Sequence, residues 1–122
     1  MAEPLVGWAR WRETFAAILD PRFYSIAWLE DEIAAGRVQL LASDCAAVLI
    51  GVRAYPGGAR EIHGLAAAGA LDEIRSRLIP AAEAWGRANG CIVATIESRP
   101  GWARALRPDG YALHQCCLRK EL

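Results

Sequence analysis

The stretch Arg60-Glu-Ile-His-Gly-Leu-Ala-Ala-Ala-Gly-Ala-Leu-Asp-Glu-Ile74 passes from an extended segment through a run of small residues into an amphipathic helix. Arg60 to Leu65 reads as a strand, and about Leu71 to Ala88 as a long helix ending at Asn89-Gly90. A helix start leaves its first backbone N–H groups without intrahelical partners and carries a partial positive charge, which makes this junction a candidate anion cradle. Ala66, Ala67, Ala68, Gly69 and Ala70 put almost no bulk between an anion and the main chain. The same residues suit a tight strand-to-helix connection with no ligand at all.

On the N-terminal side, two short apolar runs, Val38 to Ala42 and Cys45 to Ala54, are separated by the turn signal Ser43-Asp44, and Tyr55-Pro-Gly-Gly58 closes a second hairpin. With Arg60 to Leu65 they make a three-stranded meander. The run from Cys45 to Val52 is apolar on both alternating faces, so it cannot fix its own register. Farther upstream, Leu5, Trp8, Trp11, Phe15 and Ile18 recur at helical spacing until Asp20-Pro21. A second helix is predicted from about Tyr24 to Ala35, with Ile26, Leu29 and Ile33 on one face and Gly36 suited to the left-handed position beyond its end.

On the C-terminal side, the long helix carries Leu71, Ile74, Leu78, Ala82 and Trp85 on one stripe. Pro80 interrupts it and predicts a kink or two abutting helices. Cys91 to Glu97 reads as a strand parallel to its meander neighbour, Arg99 to Leu106 as a short helix, and Tyr111 onward as a last strand. The sum is one α+β domain over residues 1–122. Its order is ααβββαβαβ, with a mixed, mostly antiparallel sheet of about five strands flanked by helices.

Composition narrows the partners. Fourteen basic and fourteen acidic residues cancel without forming a block, so no electrostatic footprint for nucleic acid or an anionic membrane is present. No apolar run approaches the roughly 20 residues of a membrane span, and the start of the chain lacks signal-peptide character, so a cytoplasmic location is expected. The cysteines at 45, 91, 116 and 117 lack metal-ligand spacing, and free, buried thiols are expected. Cys116 and Cys117, as strand neighbours, point to opposite faces and are poorly placed to bond each other.

Three further groups of residues stand out. Glu61 and His63 alternate onto one side of the third strand, where a carboxylate or imidazole could take a proton, and Glu97 ends the next strand. The alternative is a solvated carboxylate beside a hydrogen-bonded histidine. Trp8, Trp11 and Trp28 suit core packing or, where exposed, docking of a partner protein, and Trp102 reads as the anchor of the short helix. Arg75 and Arg77 are either solvated or available to a phosphate.

The element order, together with Ile62 to Ile74, Ala84-Trp-Gly-Arg-Ala-Asn-Gly-Cys91, Arg99-Pro-Gly-Trp-Ala-Arg-Ala-Leu106, Asp109-Gly-Tyr111 and the closing Leu118-Arg-Lys-Glu-Leu122, resembles the GNAT acetyltransferase superfamily over nearly the whole chain. More closely, it looks like the short GNAT-like proteins of prophages and phage-derived elements. The resemblance implies an acetyl-CoA-dependent N-acyltransferase acting on a small-molecule or protein amine, with Glu61, His63 and Glu97 as candidate bases. It also implies that the amides of Ala66, Ala67, Ala68, Gly69, Ala70 and Leu71 face the pyrophosphate. Here this chain departs from the family. Ala66 stands at the usual basic or amide position and Leu71 at the last small position, leaving Gly69 as the one matching signal, so the loop is degenerate. The tyrosine that serves many relatives as acid falls on Leu106, and Tyr111 more naturally packs at a strand start. These departures imply the alternative of a catalytically inactive GNAT-fold module with a protein partner in a phage-derived assembly. An exposed edge strand would also make a homodimer natural.

Overall fold

The computed structural model describes residues 7–122, apart from the side chain of Pro100. Two helices, α1 (Trp8–Ile18) and α2 (Ile26–Ala34), precede the meander β1 (Val38–Ala42), β2 (Ala46–Ala54) and β3 (Arg60–Gly69). A single helical turn α3 (Leu71–Glu73), a π-helical turn (Ile74–Leu78) and α4 (Ile79–Ala88) lead to β4 (Val93–Ile96), and α5 (Pro100–Leu106) follows. The sheet order is β1-β2-β3-β4, antiparallel except for the parallel β3–β4 pair.

The N-terminal helices follow the apolar spacing. Trp8, Trp11 and Phe15 bury one stripe of α1, and Leu29 and Ile33 one stripe of α2, whose start is capped by Ser25 Oγ accepting from the Trp28 amide at 3.1 Å. Gly36 takes φ 79°, the left-handed position expected of it. Leu5 lies outside the described residues; Ile18 is exposed, contrary to its expected place on the buried stripe, and Trp28 is exposed too, which removes the core-packing alternative for it.

Both faces of the sheet are covered, which explains the doubly apolar β2. Ala47 and Leu49 pack with α1 and α2, while Ala46, Val48 and Ile50 pack with the π turn, α4 and Leu106. The predicted long helix is interrupted near Pro80 as expected, though by a π turn rather than a sharp kink. Proline has no N–H for the regular i−4 bond, and the preceding turn widens to an Ile79 N–H to Ile74 C=O bond. Of the predicted stripe, Ile74, Leu78 and Ala82 are buried, Trp85 is partly buried and Leu71 is exposed.

Two expectations are corrected. β3 runs through Ala66, Ala67 and Ala68 to Gly69, so these residues are not loop. Their small side chains let β2 come alongside, with Ala66 opposite Leu49, Ala67 opposite Val48 and Ala68 opposite Ala47. The last strand does not form: beyond Tyr111 the chain is exposed and carries no strand, leaving four strands among the described residues instead of about five. The expectation of buried thiols is corrected as well, since Cys45, Cys116 and Cys117 are exposed and Cys91 is partly buried.

Candidate active site

β3 and β4 pair only from Glu61–Val93 to Gly64–Ile96. Beyond Gly64, β3 stays with β2 alone, and the parting coincides with a bulge, because Ile50 pairs with Gly64 and Leu49 with Ala66, leaving Leu65 as the extra residue. A bulge bends its strand and increases the local twist, so it turns β3 away where β4 ends. A cavity of about 410 Å³ opens there. Its walls combine Ile18 and Leu19 from the α1 side, Ile74 and Ile79 from the opposite side, and Gly64 to Ala67 of β3.

Beside the cavity lies a polar cluster built by strand alternation. Arg53 is opposite Glu61 on β2, and Thr95 is opposite His63 on β4, so the period of two brings them to one face with Tyr55 and Glu97. Glu61 and His63 are 5% and 6% exposed, which overturns a solvent-facing glutamate. The Tyr55 hydroxyl donates to Glu61 Oε1 at 2.8 Å, and His63 Nδ1 is 3.0 Å from Thr95 Oγ1. Arg53 Nη1 bridges Glu97 Oε1 at 3.2 Å and Glu61 Oε2 at 3.7 Å. His63 Nε2 lies 3.9 Å from Glu97 Oε1. The structure thus brings the three predicted candidates together. Thr95 and Glu97 line the cavity, whereas Glu61 and His63 are not among its lining residues.

The electrostatics favour an ionised Glu61 beside a neutral His63. Burial works against ionisation of Glu61, but the Thr95 and Tyr55 hydroxyls, the charge of Arg53 and, in acid where the ring is protonated, that of His63 outweigh it, and its pKa lies below the ordinary carboxylate value. Burial, helped by Arg53, lowers the pKa of His63 against the opposing pull of Glu97 and Glu61. A neutral imidazole at neutral pH is a competent proton acceptor.

The predicted pyrophosphate loop fares differently. Ala66 and Ala67 line the cavity, but Ala68, Gly69, Ala70 and Leu71 do not. Gly69, at φ 97°, is required by the close passage of β2, since a Cβ there would lie 2.2 Å from the Cys45 carbonyl oxygen. The Ala70 amide donates to that same oxygen at 3.0 Å. The following helical turn carries Asp72 and Glu73, whose carboxylates compete with any anion for its positive end. Arg75 is paired with Asp109 at 2.9 Å, while Arg77 is exposed.

Tyr111 lines the cavity and donates to Glu83 Oε2 at 2.7 Å. Burial and this carboxylate raise its pKa well above the ordinary phenol value, which makes it a poor acid. Arg53, Tyr55, Glu83 and Thr95 were not singled out from the sequence. Arg53 and Thr95 could have been found by aligning the strands on Glu61 and His63, had the register been known.

The fold of the chain is shared with several solved acetyltransferases. One from Clostridium acetobutylicum, a predicted acetyltransferase with acetyl-CoA, superposes with a TM-score of 0.67 at 8% identity, covering 90% of this chain and 84% of that one. An aminoglycoside N-acetyltransferase in complex with CoA superposes at 0.63 and 15% identity, covering 100% and 97%. An acetyltransferase from Trypanosoma brucei gives 0.62 at 14%, covering 80% and 78%. This is an acetyltransferase fold. No protein-family model matches the chain, and no curated protein matches it. Among the described residues no helix is long and apolar enough to cross a membrane.

Proposed function

We propose that this chain binds the acyl-pantetheine arm of acetyl-CoA where β3 and β4 part and transfers the acyl group to a small-molecule or protein amine. The observation that carries this reading is the position of the apolar cavity, lined by Gly64 to Ala67 of β3 and by Thr95 and Glu97 of the polar cluster. A slender arm fits such a slot, with Gly64 leaving its β4 side open: a Cβ there would meet Ile96 Cγ1 at 3.4 Å. The diphosphate fits less well, because Asp72 and Glu73 occupy the helix start, so weak cofactor affinity is expected.

Acetyl-CoA supplies an activated acyl group as a thioester. For transfer, the amine nitrogen must lose a proton as it bonds to the acyl carbon, and the C–S bond breaks to release a thiolate that takes up a proton from water. In this reading Glu97, exposed at the cavity, would attract an ammonium group, and neutral His63, which does not itself line the cavity but has Nε2 3.9 Å from Glu97 Oε1, would accept its proton. Buried Glu61 then offsets the imidazolium charge at 3.7 Å. Without Glu61 and His63 the reaction would lose its base, whereas the fold would retain its cavity.

A second reading, a non-catalytic module serving a protein partner in a phage-derived assembly, is favoured by the acidic helix start and by the absence of a good acid at Tyr111. A thermal melt with and without millimolar acetyl-CoA separates the two. Ligand at 100 times its dissociation constant stabilises a fold by about 2.7 kcal/mol, several degrees for a domain of this size. A shift, followed by thiol release in the presence of amines, supports transfer; no shift supports the module.

A further inference from the structure

The charged residues that line the cavity are Glu83, Glu97 and Arg99. Both carboxylates are already engaged. Glu97 Oε1 pairs with Arg53 Nη1 at 3.2 Å, and Glu83 Oε2 accepts from the Tyr111 hydroxyl at 2.7 Å. Arg99 differs. Among the described residues its guanidinium enters no ion pair and no hydrogen bond, and the bonds this residue does make are accepted by its main-chain carbonyl, from Ser98 Oγ at 3.3 Å and the Trp102 amide at 3.0 Å. A planar fork of N–H donors at a largely apolar cavity, with no acceptor of its own, suits an anionic group on the ligand.

Its place along the strands is as informative. β3 and β4 are parallel, so they run toward the same end of the sheet, and their last pair is Gly64 with Ile96. Three residues past that pair stand Ala67 on the β3 side and Arg99 on the β4 side, and both line the cavity. Arg99 is four residues beyond Thr95, up to about 14 Å of extended chain, in the direction in which the strands part. The amides at the helix start are less available. Ala68 to Leu71 do not line the cavity, the Ala70 amide is taken by the Cys45 carbonyl at 3.0 Å, and Asp72 and Glu73 repel an anion there.

We infer that Arg99 is the diphosphate anchor of this chain, holding the anion against the β4 side of the parting instead of against the helix start. The inference rests on the acyl-transfer reading, in which the reactive end of the ligand lies by Thr95 and Glu97. The diphosphate then lies farther out, beside Arg99. Two parallel N–H bonds from a guanidinium match a pair of phosphate oxygens, and bonds between ionised partners are the stronger ones. Glu83 and Glu97, each with a donor already, leave the charge of Arg99 free for the ligand. An anion held across the parting need not approach Asp72 and Glu73.

The test is binding, without turnover. CoA and dephospho-CoA, which keeps the diphosphate and lacks the 3′-phosphate, are titrated calorimetrically into wild type, R99Q, R99K and R104Q. Arg104 is exposed on α5 and does not line the cavity, so R104Q controls for the loss of one positive charge. R99Q should weaken both ligands about tenfold or more, the worth of a hydrogen bond between charged groups. R99K should recover part of the loss, because it keeps the charge without the fork. R104Q should change affinity by no more than about twofold. Equal affinity in wild type and R99Q, or an equal loss in R104Q, overturns the inference while acyl-CoA binding stands. A loss confined to CoA assigns Arg99 to the 3′-phosphate and overturns it as well. If wild type binds neither ligand at millimolar concentration, the acyl-transfer reading itself falls and the anchor falls with it.

Discussion

Glu61 and His63 bury their side chains on one face of β3 with Oε2 and Nδ1 3.7 Å apart, an acid and a base sharing one nearly dry environment. The folded pKa of His63 lies below the ordinary 6.5, so the unfolded chain binds its proton more readily. Stability is therefore full above about pH 6.5 and is lost as pH falls through the folded value of His63. Glu61, whose pKa is lowered from 4.5, adds a further loss in more acidic solution. Melting temperatures measured from pH 8 to pH 4 should fall on this course, and H63N should flatten the part that begins near pH 6.5. An unchanged wild-type slope in H63N would count against the burial assigned to the ring.

Gly69→Ala should be severely destabilising. The position combines φ 97° with a Cβ site 2.2 Å from the Cys45 carbonyl oxygen, so both backbone strain and a main-chain clash are introduced. The expected loss is about 3 kcal/mol or more, read from urea denaturation. If Gly69 served only a phosphate, the apo-protein would tolerate alanine.

Phe15 is fully buried and stacks on Trp8 with ring centroids 5.9 Å apart. Phe15→Ala should cost about 3 to 5 kcal/mol, since it removes the anchor between α1 and the sheet and leaves a cavity. Chemical denaturation measures it, and a loss below about 1 kcal/mol would mean that α1 does not pack as described.

Removing residues 112–122 should change stability little. The segment is exposed throughout, and its ties to the body include the Arg22–Glu121 ion pair at 3.0 Å, itself well exposed, and Arg119 over the Phe23 ring. Exposed ion pairs contribute little, so the truncated chain should melt within a few degrees of the full one. A collapse on truncation would show that the segment is a structural strand in solution.

Local signals were sufficient for much of the fold: apolar periodicity placed both N-terminal helices, turn residues divided the meander, Pro80 marked the interruption, and a short apolar run placed β4. Glu61, His63 and Glu97 could be named as a group because they carry the chemistry and sit on β3 and directly after the adjacent β4. The tertiary structure decided the rest. Ala66 to Ala68 have weak strand preference of their own and became ladder only because β2 lies alongside, a contact between residues far apart in sequence. The segment after Tyr111 has strand-like composition but no paired neighbour, and a strand without a partner has unsatisfied main-chain groups and no ladder to hold it. Arg53 and Thr95 joined Glu61 and His63 through strand register, which the doubly apolar β2 could not specify until helices covered both of its faces.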